Sequence, residues 1–352
     1  MELAHQVVDL KLALPWATAR TTEPGGLRRS QVVQVTLRDA ASGVIGHGEA
    51  APISRYGEST ATVQAFLARF DASQLSPARL DDSLALIAGE GSGEMAAKCA
   101  VEMALHDAAG KIAGKPVWEL LNLGPPGVRA ISYTIGIGPA ERIQEQVRRA
   151  ADFQLLKLKL GGPNDQESFR ALREVAPDKR VCVDANEGWP DREHALRMIE
   201  WLATDGRLEF VEQPLPAGHP EADHRWLFER SPLPLFADES CHRPEDVARL
   251  AGSFHGINVK LMKTGGLTQA LAALRQARQL GLQTMLGCMI ESSLGIAAAF
   301  QLAALADHLD LDSHVLLVND PFDGLRTERG TISWAAGERV SGLGVQPQKP
   351  SS

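Results

Sequence analysis

The sequence predicts an α/β protein: a (β/α)8-type barrel preceded by an α+β unit. Three observations carry this prediction. After Pro125-Pro126-Gly127, short apolar strands alternate with longer amphipathic helical patterns. Successive strand starts lie roughly 22 to 28 residues apart, near the ~30 residues of a strand-plus-helix unit. Before that point the order differs, with strands first and helices after.

The first unit is expected to span 1–122. Val32-Val33-Gln34-Val35-Thr36-Leu37 is rich in β-branched residues, Asp39 to Gly43 is turn-like, and Val44 to Glu49 resumes an extended pattern. Together they read as a hairpin. Ser59 to Phe70 reads as a helix, with Ser59 or Thr60 as its cap. Ala96 to Ile112 is a second helix, because Ala97, Ala100, Val101, Ala104, Leu105 and Ala108 recur at helical spacing. The barrel is expected over 123–320. Its strands read as Ala130–Gly136, Leu155–Gly161, Arg180–Asn186, Leu208–Pro214, Pro234–Ser240, Gly256–Lys263, Leu282–Met289 and His308–Asp312. An open doubly wound sheet is the runner-up, but no GxGxxG follows the first strand. Residues 321–352 are too few for another domain and are expected to return to the first unit, with Gln346 to Ser352 as a frayed end.

Composition narrows the function. The chain has 352 residues, 44% hydrophobic and 23% charged, as in an ordinary globular protein rather than a disordered one. Its net charge of −8 argues against nucleic acid and anionic membrane surfaces as partners. Cys99, Cys182, Cys241 and Cys288 form no CxxC pair, so reduced thiols are the simpler reading than zinc or disulfides. The start lacks a signal-peptide pattern, and no run approaches the roughly 20 apolar residues of a membrane helix. A cytoplasmic enzyme is expected, with homo-oligomerisation left open.

In a barrel enzyme the chemistry sits at the C-terminal ends of the strands. The second strand ends Lys157-Leu158-Lys159, with both lysines on one face. Two ammonium groups are costly there unless anions face them. The next three strands end in carboxylates: Asp184, Glu212 and Asp238. Each alone would pass as a helix cap. Three on adjacent strands crowd one point and repel unless a cation lies between them. Oxygen ligands select a hard ion, Mg²⁺, with Mn²⁺ as a substitute. The sixth strand ends Lys260-Leu261-Met262-Lys263-Thr264-Gly265-Gly266. Strand alternation would turn Lys263 toward the site and Lys260 away from it. The last strand carries Asp310 and Asp312 on one face; ordinary capping or solvation is the bland alternative.

These parts fit proton removal next to a carboxylate. The product enediolate is doubly charged, and a divalent ion offsets that charge. The base is a lysine, whose ordinary pKa of about 10.4 must fall. Two lysines on opposite faces permit removal on one side and return on the other, which inverts a stereocentre.

The set Lys157-x-Lys159, Asp184-x-Asn186, Glu212-Gln213-Pro214, Ala237-Asp238-Glu239-Ser240 and Lys260-Leu-Met-Lys263-Thr-Gly-Gly resembles the muconate-lactonizing-enzyme subgroup of the enolase superfamily. That family is already known for pairing a lysine base with Mg²⁺. The resemblance covers nearly the whole chain and implies a TIM-like (β/α)7β barrel under an α+β capping domain. It implies Asp184, Glu212 and Asp238 as Mg²⁺ ligands, Lys159 and Lys263 as the acid/base pair, and Lys157 beside the substrate carboxylate. Asn186 and Glu239 would support the ligands. Gly287-Cys288-Met289-Ile290-Glu291-Ser292 and Asp310-Leu311-Asp312 look like those of dipeptide epimerases such as the L-Ala-D/L-Glu epimerases. In that family the paired aspartates bind the α-ammonium of the dipeptide. Ser313 departs from the glycine that many relatives carry there. Thr134 and Met289 match substrate-contacting positions. The loop from Trp16 to Arg29 would close over the substrate, with Arg20 nearest the family's arginine position, and a second specificity loop spans Ile53 to Glu58. An arginine there could pair bidentately with a glutamate side chain; the bland alternative is solvation.

Three rivals remain. An o-succinylbenzoate synthase, N-acylamino acid racemase or cycloisomerase would share the metal and lysines, but its substrate has no ammonium for Asp310 and Asp312. A non-catalytic ligand-binding barrel would have no need of two opposed lysines. A nucleic-acid or structural role finds no basic face.

Overall fold

In the computed structural model, which describes residues 1–335 and 340–348, the chain opens with an antiparallel sheet. Strand β1 (Glu2–Trp16) pairs with β2 (Leu27–Arg38), and β2 pairs with β3 (Ile45–Ala50). The hairpin expected from sequence is β2–β3. Strand β1 was not anticipated: as an edge strand it is largely exposed and shows little apolar alternation. Helix α1 (Thr60–Arg69) begins at Ser59, whose side chain accepts the Thr62 amide in a capping box. Helix α2 (Leu80–Gly89) follows, then α3 (Met95–Ala113). Nearly all of α3 is buried. Strand β3 lies directly on it, because Gly48 has no side chain: a Cβ there would fall 1.9 Å from the Ala100 carbonyl oxygen.

The short β4 (Arg129–Ala130) leads into the barrel. Eight parallel strands follow in sequential order: β5 (Ser132–Ile135), β6 (Leu155–Lys159), β7 (Arg180–Asp184), β8 (Leu208–Glu212), β9 (Leu235–Ala237), β10 (Gly256–Val259), β11 (Gln283–Gly287) and β12 (His308–Asp310). Each expected strand is present, but every one ends earlier than expected. Lys159, Asp184, Glu212 and Asp310 are each the last residue of their strand. Side chains stitch the seam between β12 and β5: Ser132 Oγ donates to Asp310 at 2.8 Å, and the Thr134 amide donates to Asp312 at 2.6 Å. After β12 comes a 3-10 turn (Ser313–Leu316) in place of an eighth outer helix, giving (β/α)7β.

Alternation sorts the barrel interior into layers. Cys182, Phe210, Phe236 and Met285 fill the lower layer with Leu155 against them. The Phe210 and Phe236 rings lie 4.3 Å apart. Gly256 makes room for this plug, since a Cβ there would meet the Phe236 ring at 2.5 Å. One layer up, the inward residues become lysines, carboxylates and Asn258.

The tail adds β13 (Phe322–Asp323), β14 (Leu325–Glu328), β15 (Thr331–Trp334) and β16 (Gln346–Pro347). β15 pairs with β14 and β4. The Gly342 backbone bonds Lys115 and Val117 beyond α3. The frayed end expected from Gln346 is corrected in part: β16 pairs with β13 through Phe322 and Asp323, which satisfies its backbone, while 349–352 lie outside the described residues. Among the described residues no helix is long and apolar enough to cross a membrane.

Candidate active site

Above the plug, β6, β7, β8 and β9 bring Lys157, Lys159, Asp184, Glu212 and Asp238 to one place. One carboxylate oxygen each from Asp184, Glu212 and Asp238 can be chosen so that all lie within 4.8 Å of one another, and all three residues are buried. They are surrounded by ammonium groups. Lys159 Nζ is 2.6 Å from Asp184, and Lys157 Nζ is 2.6 Å from both Glu212 and Asp310. Burial acts against the charge on Asp184, but Lys159 and Lys157 outweigh it and hold the carboxylate low. Burial and the charge of Asp184 push Glu212 upward. Two adjacent carboxylates thus titrate in opposite directions, as expected when a site is short of positive charge.

A divalent ion fits this cluster. The donor set is all oxygen and all carboxylate. The buried Glu212 Oε2 makes an ion pair with Lys157 but no hydrogen bond among the described residues, and Oε1 is held by Asn258 Nδ2 at 2.8 Å. Asn186 Nδ2 ties Asp184 to Glu239, at 3.2 and 3.4 Å. Gln213 braces the other side: its Oε1 accepts the amides of Asp238 and Ser240. The backbone pays for this precision with left-handed conformations at Asn186 (φ 45°), Glu187 (φ 67°) and Gln213 (φ 37°), just after two of the carboxylates.

The sixth strand corrects the sequence reading. It ends at Val259; Lys260 caps a one-turn helix, Leu261–Thr264, that Gly265 closes at φ 88°. In a helical turn, residues three apart share a side. Lys260 and Lys263 therefore both reach Asp238, at 2.8 and 2.6 Å. Lys260, expected to face away, lines the cavity. Lys263, expected to face it, is buried with Nζ donating to the carbonyls of Asp238 and Asn258 as well as to the Asp238 carboxylate. The Gly265-Gly266 pair was the signal that a turn, not a strand, carries these lysines. Burial works against the Lys260 charge, but Asp238 holds its pKa above the ordinary lysine value.

The cavity is roughly 460 Å³, within the range of small-molecule sites. Lys159 and Lys260 reach it from β6 and from the turn after β10, four strands apart in a ring of eight. Thr134, Asp310, Asp312 and Met289 also line it, while Lys157, Asp184 and Glu212 lie beneath its open surface. Burial and the neighbouring Asp310 push Asp312 upward, and its donor among the described residues is the Thr134 amide. The cap supplies a further part of the wall, through the loop between β1 and β2 and the 3-10 turn Ser54–Tyr56.

Two family models match the chain. The "Mandelate racemase / muconate lactonizing enzyme, N-terminal domain" model covers residues 2–122, and the "Enolase C-terminal domain-like" model covers 140–350. The chain belongs to the enolase superfamily. Among its relatives in the superfamily is an L-Ala-D/L-amino acid epimerase of Pedosphaera parvula, 46% identical, with 98% of this chain and 99% of the relative covered. Among solved structures, the substrate-liganded L-Ala-D/L-Glu epimerase of Bacillus subtilis superposes with a TM-score of 0.89 at 28% identity, covering 98% of each chain. A dipeptide epimerase of Cytophaga hutchinsonii, complexed with Mg and the dipeptide D-Ala-L-Val, superposes with a TM-score of 0.88 at 27% identity, covering 99% of this chain and 97% of that one.

In this superfamily member, Arg20 lies at the cavity, where the sequence placed it, and is already paired: its guanidinium is engaged by Glu187 at 2.9 Å and by Glu239. Sequence reasoning missed Glu187, Arg55, Tyr56 and Asn258. The glutamate in Asp184-Ala-Asn186-Glu187 follows a recognised carboxylate, and Arg55 sits in a recognised loop. Neither position showed its pairing until the cap met the barrel.

Proposed function

We propose that this chain is a Mg²⁺-dependent dipeptide epimerase, inverting the α-carbon of the C-terminal residue by 1,1-proton transfer between two lysines. The observation that carries the reading is the pair Lys159 and Lys260 on opposite sides of one cavity that also holds Asp310 and Asp312. Asp184, Glu212 and Asp238 would hold the ion, and by the same donor chemistry Mn²⁺ would serve. When bound, the ion would offset the second negative charge that the substrate carboxylate gains as its α-proton leaves.

The chain's own residues do the rest. Lys159 and Lys260, rather than Lys159 and Lys263, are the acid and base. One, as the free amine, takes the α-proton and becomes an ammonium. The other, as an ammonium, gives a proton to the opposite face and becomes the free amine. The net change is inversion. Lys263 keeps Asp238 in place. Lys157, charged and buried between Glu212 and Asp310, adds positive potential under the developing enediolate. Asp310 and Asp312 receive the dipeptide's α-ammonium, which supplies the cation that Asp312 lacks. Thr134 positions both aspartates, its hydroxyl 3.4 Å from Asp310. Asn186 and Glu239 orient the ligands, and Met289 forms wall. The relatives' named activities agree with this arrangement.

Proton NMR of L-Ala-L-Xaa dipeptides in D₂O with Mg²⁺ tests the proposal. Loss of the C-terminal α-proton signal with appearance of the D-epimer is expected. Absence of exchange across a panel of side chains, with N-acylated amino acids accepted instead, would overturn it.

A further inference from the structure

The two cap segments that cover the cavity each contribute one arginine, and both arginines converge on one barrel residue. Arg55 Nε and Nη2 donate to the two oxygens of Glu187, each at 2.9 Å, in a bidentate fork. Arg20 Nη1 donates to Glu187 Oε2 at 2.9 Å and to the Asn186 carbonyl at 3.4 Å, and it pairs with Glu239 as well. The Ala217 amide adds a further bond to Glu187 Oε1 at 2.8 Å. Two guanidinium groups thus meet two carboxylates, and the positive charge of the outer cavity is already matched. Lys159 and Lys260, the other cations of the lining, are held by Asp184 and Asp238. The further ionisable side chain contributed by the cap loop is Glu23, a carboxylate. The rest of this wall is Trp16, Leu27, Ile53, Ile290 and Leu316, with hydroxyl groups between them.

Among the described residues, each cation lining the cavity is already paired, so an acidic side chain entering here meets none free. It would have to compete with Glu187 or Glu239 for an arginine, weakening an ion pair that offsets the cost of burying those carboxylates. An uncharged side chain meets an apolar wall and disturbs nothing.

Resting on the epimerase reading, we infer that the site takes dipeptides with an uncharged second side chain and discriminates against glutamate, and that Glu187 sets this preference by occupying both cap arginines. Glu187 touches no reacting atom. It acts through Arg20 and Arg55.

The test is the initial rate of α-proton exchange for L-Ala-L-Leu, L-Ala-L-Gln, L-Ala-L-Glu and L-Ala-L-Lys with the Mg²⁺-loaded enzyme. Gln and Glu are close in shape, so their ratio isolates charge. A kcat/KM for L-Ala-L-Gln at least tenfold above that for L-Ala-L-Glu is expected. An equal or higher value for L-Ala-L-Glu overturns the inference while leaving the epimerase reading intact. A value for L-Ala-L-Lys above both neutral dipeptides also overturns it. Exchange of none of the four removes the epimerase reading and this inference with it. The Glu187→Gln variant then separates specificity from architecture. Freed arginine charge should lower KM for L-Ala-L-Glu and shrink the Gln/Glu ratio several-fold. An unchanged ratio, or a uniform fall in kcat for all four substrates, would deny Glu187 the role.

Discussion

At the scale of single residues, the decisive distinction is between Lys260 and Lys263, three positions apart and bonded to the same aspartate. Replacing Lys260 with Met should leave a folded protein that no longer inverts its substrate, a loss of about 10²- to 10⁴-fold, the range for removing a positioned acid or base. Lys159→Met should do the same. Each variant keeps the other lysine, so each should still wash the α-proton out of one epimer without forming its mirror partner; NMR in D₂O with each epimer separately reads this directly. Lys263→Met should instead lower the melting temperature, because it takes the donor from the buried Asp238 Oδ1 and a bond from the Asn258 carbonyl. At the other end of the site, Asp312→Asn should raise KM for dipeptides roughly 10- to 100-fold, as for the loss of one charge-assisted contact. Sequence alone brought out Lys157, Lys159, Asp184 and Glu212 because they sit on regular strands, where alternation dictates facing, and Asp238 because it follows β9 directly. It misfaced Lys260 because the chain leaves the sheet at Val259, where alternation ceases to apply.

At the scale of elements, the cap and barrel strands were legible in proportion to their burial. All eight barrel strands announce themselves as short apolar runs, since both of their faces are covered. The half-exposed β1 and the short α2 carry weaker patterns and were not anticipated. Contacts between distant elements leave no local trace at all. The fit of β3 onto α3 depends on a hydrogen atom at Gly48 where any side chain would strike the Ala100 carbonyl. Gly48→Ala should therefore cost about 1–3 kcal/mol, as overpacking does, measured by urea denaturation. An unchanged midpoint would mean that β3 can lift off α3 freely.

At the scale of the whole molecule, the cap is joined to the barrel through buried carboxyl groups. Glu49, at the end of β3, accepts the Ser292 amide at 2.8 Å and its hydroxyl at 2.5 Å. Burial pushes Glu49 up to about 8 and Glu291 up to about 7. A carboxyl raised in the folded state binds more protons folded than unfolded, so its contribution is fully present below its ordinary value and is lost as pH rises through the folded value. Stability should accordingly fall relative to Glu49→Gln between about pH 4.5 and pH 8. Urea unfolding of both proteins across that window checks it, and parallel curves would refute it. The layer of Phe210, Phe236, Cys182 and Met285 has a consequence of another kind. It forms an apolar floor beneath the cavity. On the epimerase reading, a dipeptide seated above that floor should shield the lysines from bulk solvent, so that the hydrogens they carry are those they held on arrival. Deuterium in the first product molecule should therefore record the solvent the empty enzyme last met, which a single-turnover jump from H₂O into D₂O would read.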